Sequence, residues 1–114
     1  MLKLPHKPPI LFVRNVLSKE DDSAVVDTLF PKIPSLAMMM EAAAQSSCVF
    51  GDEDKEGFVI SCQNVTLHGK PKGVSFKTHV ACRLKNGLLS EIFFESREND
   101  ILIASGTLLL MLSK

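Results

Sequence analysis

The segment from Phe30 to Ser47, FPKIPSLAMMMEAAAQSS, constrains the fold more than any other part of the chain. Its prolines, Pro31 and Pro34, lack the backbone N–H that a strand ladder needs, so extended pairing must end there. Ser35 is a favoured helix cap, and the residues after it predict a helix that runs to about Phe50. This helix is apolar or small on nearly all sides, which is typical of a helix that the rest of the protein encloses.

Two polar side chains interrupt this apolar helix. Glu41 stands near its centre, and Gln45 follows one turn later on the same side. A carboxylate among apolar groups needs a partner or a chemical role, because burying an unpaired charge is costly. Three interpretations are open: Glu41 is catalytic, it orients a ligand that is bound without turnover, or it is paired for structural reasons.

The rest of the chain is predicted to form β-strands. Alternating or β-branched segments occur at residues 10–18, 24–30, 58–68, 74–85, 88–98 and 101–112. Asn86-Gly87 and Asn99-Asp100 favour tight turns between the later strands. The two-residue period of GVSFKTHVACRLK predicts one buried face made of Val74, Phe76, Thr78, Val80, Cys82 and Leu84. We expect one α+β domain over residues 1–114, with an antiparallel sheet curled around one long central helix.

The composition argues against several classes of function. Thirteen basic residues balance 13 acidic ones, so there is no electrostatic reason to expect nucleic acid. The three cysteines, Cys48, Cys62 and Cys82, are widely spaced and odd in number, which predicts buried, unreactive thiols rather than disulfides or a zinc site. No nucleotide-binding or metal-binding motif is present, so we expect no cofactor and no metal.

The hydrophobic segments argue against membrane insertion. ILIASGTLLLML, near the C-terminus, is too short to span a bilayer, which takes about 20 residues. MLKLPHKPPILFV, at the N-terminus, has prolines where a signal peptide needs its apolar run. We therefore expect a cytoplasmic protein.

Two stretches resemble the hot-dog fold family that includes the (3R)-hydroxyacyl-acyl-carrier-protein dehydratases. LPHKPPILFVRNVL (4–17) is similar to the opening segment of that family, and FPKIPSLAMMMEAAAQSS is similar to its central helix, with EAAAQ (41–45) as the most specific match. KPKG (70–73) is placed like the family's proline-glycine turn. The resemblance implies a hot-dog domain that forms a homodimer, or a higher oligomer, by edge-to-edge joining of two sheets.

The resemblance also implies roles for individual residues. In the family, a histidine just before the phenylalanine-proline turn removes a proton from a 3-hydroxyacyl thioester, and the helix carboxylate of the neighbouring subunit helps the hydroxyl to leave. Glu41 inherits the carboxylate role and Gln45 the supporting amide, but Leu29 occupies the place of the histidine. His6, in the opening motif, is the remaining candidate for a catalytic histidine, whereas His68 and His79 lie on predicted strands.

Substrate contacts are expected around the phenylalanine-proline turn and the start of the helix, where backbone amides would polarise the thioester carbonyl. The residues expected to line this region are Leu29, Phe30, Pro34, Ser35, Leu36 and Ala37. We therefore expect a dehydratase-like protein that handles acyl thioesters of coenzyme A or acyl carrier protein. Because the usual base is missing, its activity would be weak hydrolysis or an atypical dehydration centred on Glu41. The alternative is a catalytically inactive acyl-binding or protein-interaction module.

Overall fold

The computed structural model of the protein describes residues 12–47, 57–87 and 89–112. One helix and six strands form in the order β1 (Val13–Lys19), β2 (Ser23–Leu29), α1 (Leu36–Ser46), β3 (Gly57–Leu67), β4 (Ser75–Asn86), β5 (Leu89–Glu98) and β6 (Ile101–Leu112). The strands make a single sheet with the order β1-β2-β4-β5-β6-β3, and every neighbouring pair is antiparallel. The α+β prediction and its single antiparallel sheet are confirmed.

The core lies between α1 and one face of the sheet. Along β5, buried and half-buried residues alternate, so that Ile92 and Phe94 point toward the helix and Phe93 points away from it. The opposite side of the core comes from α1, which buries Met39, Ala42 and Ala43. Because these side chains are small or flexible, the helix axis can lie close to the sheet.

The predicted alternation of β4 holds as far as Cys82 and then fails. Phe76, Thr78 and Val80 are buried as expected, but the side chain of Leu84 is 61% exposed. The pairing of β4 with β5 shifts by one residue between Cys82 and Leu84, which is a β-bulge. Since a one-residue shift moves side chains to the other face of a sheet, the prediction that Leu84 shares the buried face is wrong.

The helix begins where the sequence predicts. Ser35 caps it, and the helix runs to Ser46, with Ser47 as its C-terminal cap. Residues 48–50 of the predicted helix lie outside the described residues. None of the helices in the described ranges is long and apolar enough to cross a membrane.

The helix is covered by the sheet on one side only. On the side turned away from the sheet, Ala37 is exposed, and the remaining residues are half-buried, namely Met38, Met40, Glu41 and Ala44. The expected enclosure on most sides is therefore not achieved by the described part of a single chain, because one sheet can cover only one side of a helix.

Both described cysteines have free thiols. Cys82 is half-buried, but Cys62 is exposed on β3, so the expectation of a buried thiol is wrong for Cys62. Its exposure follows from the topology, since β3 is an edge strand of the sheet. Cys48 lies outside the described residues.

Candidate functional site

The turn before the helix is anchored by an aromatic cluster. The ring of Phe30 lies 4.9 Å from that of Phe12 and 5.4 Å from that of Phe76, measured between centroids. Backbone hydrogen bonds of 2.9 Å join Leu29 N to Phe12 O and Phe30 N to Val74 O. The ring of Phe30 is thus part of the core, and its role at the site is to hold the turn that leads into α1.

Gln45 is the best-anchored polar side chain of the helix. It is completely buried, and its Oε1 accepts a hydrogen bond of 2.7 Å from the backbone N–H of Phe12. Its Nε2 donates a longer hydrogen bond of 3.4 Å to Oε2 of Glu41. Since the backbone N–H of Phe12 requires an acceptor, the amide must turn its NH₂ group toward the carboxylate. Gln45 therefore orients Glu41 from within the core.

Glu41 lies at the boundary between the core and the uncovered side of α1. Its side chain is half-buried, whereas Ala37, one turn earlier, is exposed. Oε2 of Glu41 accepts the hydrogen bond that Nε2 of Gln45 donates. The predicted adjacency of Glu41 and Gln45 is confirmed.

The first turn of α1 presents backbone amides. Ser35 Oγ accepts the N–H of Met38 at 3.2 Å, and Ser35 O accepts that of Met39 at 3.1 Å. Within residues 12–47 and the other described ranges, the amides of Leu36 and Ala37 have no acceptor. A helix N-terminus carries a partial positive charge, which favours an oxygen that gains negative charge. Along the helix axis, Ala37 lies about 6 Å from Glu41, so one ligand can contact both residues.

The other predicted substrate positions differ in their exposure. Leu29 is exposed at the end of β2, Pro34 is buried, and Leu36 is half-buried. Ser35 is exposed, and its hydroxyl is engaged as the helix cap. The structure thus gathers these residues around the start of α1, on the same end of the sheet as the Phe30 turn.

The two described histidines lie on the face of the sheet opposite the helix. His68 Nε2 is 2.7 Å from Ser105 Oγ, and Ser105 is on the outer side of β6. His79 pairs across the sheet with Val25 and Glu95, which also point outward. His6, the predicted catalytic histidine, lies outside the described residues. Among the described histidines, none is placed to act together with Glu41.

The backbone N–H of Phe12 is a part of this site that sequence reasoning did not find. A main-chain donor carries no sequence signal of its own. The usable signal was Gln45, because a buried amide in an apolar helix must find hydrogen-bond partners elsewhere in the fold. Among the described residues, no three His, Cys, Asp or Glu side chains are close enough to hold a metal ion.

Comparison with known proteins identifies the fold. No protein-family model and no curated protein matches the chain. A chain of the ApeI:P dehydratase heterocomplex from Xenorhabdus doucetiae is similar in structure, with a TM-score of 0.80 and 15% identity, over 97% of this chain and 88% of that one. A hypothetical thioesterase with coenzyme A from Streptococcus pneumoniae gives a TM-score of 0.67 and 10% identity, over 87% of this chain and 84% of that one. With its one helix packed on a six-stranded antiparallel sheet, the chain is a hot-dog fold protein.

Proposed function

We propose that the protein handles acyl thioesters of coenzyme A or acyl carrier protein, with Glu41 as its reactive carboxylate. The main support is the contact chain from the Phe12 backbone through the buried Gln45 amide to Glu41. The buried amide holds one oxygen of Glu41 in a fixed orientation, as a reactive group requires. The dehydratase and the coenzyme A-bound thioesterase among the structural neighbours agree with this class of substrate.

Hydrolysis is the reaction that these residues support best. Glu41 takes a proton from a water molecule, whose oxygen then attacks the thioester carbonyl carbon. The amides of Leu36 and Ala37 stabilise the oxyanion that develops on the carbonyl oxygen. When the tetrahedral intermediate collapses, the carbon–sulfur bond breaks, and the proton held by Glu41 returns to the leaving thiolate. An atypical dehydration would use the same carboxylate twice. Glu41 takes the α-proton of a 3-hydroxyacyl thioester, and the bond from the β-carbon to its oxygen breaks as the carbon–carbon double bond forms. Glu41 returns the proton to the departing hydroxide, which leaves as water.

We further propose that the working form is a homodimer joined along β3. This edge strand has 11 residues and no charged side chain, and its exposed apolar residues are Val59, Ile60 and Leu67. The other edge strand, β1, has only seven residues and includes the charged residues Arg14 and Lys19. Both edge strands have two irregularities in their pairing, so length and charge distinguish them. Short and charged edges resist pairing, whereas long apolar edges invite it. A partner on β3 would also approach the uncovered side of α1.

The test is a thioester-cleavage assay with acyl-CoA substrates of several chain lengths. Glu41→Gln should lower kcat/KM by about 10²–10⁴, because the proton acceptor is lost while the hydrogen-bonding shape is kept. Glu91→Gln is the matched control, since Glu91 is on the outward-facing side of β5 and should leave the rate unchanged. A parallel assay follows hydration of 2-enoyl thioesters, the reverse of dehydration. Equal rates for the wild type and Glu41→Gln in both assays would remove Glu41 from the chemistry.

The alternative is an acyl-binding or interaction module without turnover. It is favoured by Leu29, because leucine at the family's base position cannot accept a proton. The dehydratase neighbour belongs to a heterocomplex, which is the kind of assembly that an inactive module would enter. Binding of a non-cleavable acyl thioether of coenzyme A, with equal affinity for the wild type and Glu41→Gln and no turnover of the thioester, would support this alternative.

A further inference from the structure

We propose a second binding site on the outer face of the sheet, which takes an organic cation with a short apolar body, such as an alkylamine or an alkylguanidine. The site is a cleft of about 290 Å³ on the side of the sheet opposite α1. Its size is near the lower end of small-molecule sites, which span about 300–1,000 Å³. The cleft does not depend on the function proposed for Glu41.

Two rows of outward-facing residues form the floor and wall of the cleft. Val25, His79 and Glu95 stand side by side on β2, β4 and β5. In the next row, Ala81 on β4 lies directly opposite Phe93 on β5. The small side chain of Ala81 leaves a depression between larger neighbours. Val25, Ala81 and Phe93 thus supply an apolar surface for the body of a ligand.

His79 supplies a hydrogen-bond acceptor. Its side chain is half-buried, and neither ring nitrogen has a hydrogen-bond partner within the ranges that the structure describes. Burial lowers the pKa of His79 below its ordinary value of 6.5, and the positive charges of Arg97 and Lys77 lower it too, against the opposing effects of Glu95 and Asp100. At neutral pH the imidazole is therefore uncharged, and one ring nitrogen can accept an N–H from a ligand.

Two carboxylates give the cleft its preference for a cation. Oε1 of Glu95 accepts hydrogen bonds from Arg97, one of 3.2 Å from Nε and one of 2.9 Å from Nη2. Oε2 of Glu95 has no partner among the described residues. Glu20 stands across the cleft in the turn between β1 and β2, where Asp21 and Asp22 extend the negative charge.

Arg97 neutralises part of the charge of Glu95. The guanidinium of Arg83 lies 4.4 Å from the centroid of the Phe93 ring. The charged residues that line the cleft itself are Glu20 and Glu95, so the cleft favours a positively charged group over an anion.

The cation must be an organic molecule rather than a metal ion. Within the described ranges, no three His, Cys, Asp or Glu side chains come close enough together to coordinate one ion. His79, Glu20 and Glu95 nevertheless line the same cleft. A molecule that lies on the apolar floor can reach a carboxylate and the imidazole at once, which a single small ion cannot.

The test is a titration of the isotope-labelled protein with hexylamine, followed by amide chemical shifts at pH 7.5. Hexanol and hexanoate, which share the alkyl chain without the positive charge, are the matched ligands. We expect hexylamine to shift the amides of the cleft residues with a Kd of about 1 mM, a weak affinity in keeping with the cleft's small size. Hexanol should bind up to about fivefold more weakly, since a surface ion pair contributes up to about 1 kcal/mol. Equal binding of hexylamine and hexanol would overturn the proposal.

Two substitutions locate the binding. Ala81→Leu fills the floor of the cleft from an outward-facing position and should abolish the shifts, whereas Glu91→Gln, on the same face but outside the cleft, should leave them intact. Unfolding curves of both variants show whether they remain folded. Unchanged hexylamine binding by a folded Ala81→Leu variant would overturn the site.

The pH dependence separates His79 from the carboxylates. Below the pKa of His79, which lies under 6.5, the ring becomes positively charged and repels the ligand, so affinity should fall as the pH is lowered through that pKa. In His79→Gln the affinity for hexylamine should no longer decrease at low pH. In His68→Gln, which changes the other outward-facing histidine, the affinity should still decrease. A loss of affinity at low pH that persists in His79→Gln would contradict the assignment of His79.

N-acetyl-lysine methylamide, which carries a lysine side chain, distinguishes a protein ligand from a free amine. Binding equal to that of hexylamine assigns the site to a side chain of a protein partner. Much weaker binding assigns the site to a free amine.

Discussion

At the scale of single residues, the site depends on the side-chain amide of Gln45, which forms hydrogen bonds with two different groups. Gln45 serves a main-chain donor on one side and the Glu41 carboxylate on the other. The sequence indicated the pairing of Glu41 with Gln45, since residues four apart in a helix are neighbours. It did not indicate Phe12, which lies 33 residues away and contributes only its backbone.

Gln45→Leu is expected to destabilise the protein by about 1–3 kcal/mol, because the buried N–H of Phe12 loses its acceptor while the volume is kept. The free energy of unfolding in urea measures this effect. Glu41→Gln is the control, and it should change stability by less than about 0.5 kcal/mol because the side chain is only half-buried. Equal stability of Gln45→Leu and the wild type would show that the Phe12 N–H finds another partner.

At the scale of elements, irregular pairing decides where strand side chains point. The bulge in β4 turns Leu84 outward, and irregularities in β3 place Val65 over Gly106 of β6. A Cβ at Gly106 would lie 2.7 Å from Cγ2 of Val65 and 2.9 Å from its Cα, so only glycine fits there. Neither irregularity could be read from the two-residue period, because an extra residue leaves the pattern on each side intact.

Leu84→Ser is expected to change stability by less than about 0.5 kcal/mol, since the side chain is already exposed. Val80→Ser, four residues earlier and buried, should cost about 2–4 kcal/mol through lost packing and a buried hydroxyl. Thermal and urea unfolding of the two variants gives the comparison. A similar loss for both would mean that β4 alternates without interruption and that Leu84 packs in the core.

At the scale of the whole molecule, the described part of one chain has two surfaces that suit the second copy proposed above. One is the uncovered side of α1, and the other is the apolar edge of β3. The two surfaces are on the part of the fold where the proposed chemistry takes place. Dimer formation would therefore exclude water from around Glu41 and stabilise the small domain at the same time.

Ile60→Lys is expected to weaken the proposed dimer at least about a hundredfold, because symmetric pairing of β3 brings two like charges together in an apolar interface. Val16→Lys is the matched control, since Val16 is equally exposed, at 47% against 48% for Ile60, but lies on the β1 edge. Sedimentation equilibrium over a range of concentrations measures both. If both variants stay dimeric, the copies join through another surface.

The sequence by itself determined the architecture of this protein and the pairing of Glu41 with Gln45. Prolines and a serine cap placed the start of the helix, alternation and turn residues placed the strands, and the EAAAQ segment identified the Glu41–Gln45 pair, all of which depend on neighbours close in the chain. The tertiary structure alone decided the Phe12–Gln45 bond, the outward turn of Leu84 and the cleft around His79. These features arise from contacts between residues far apart in the chain, whose registers are set by packing of the whole sheet against the helix.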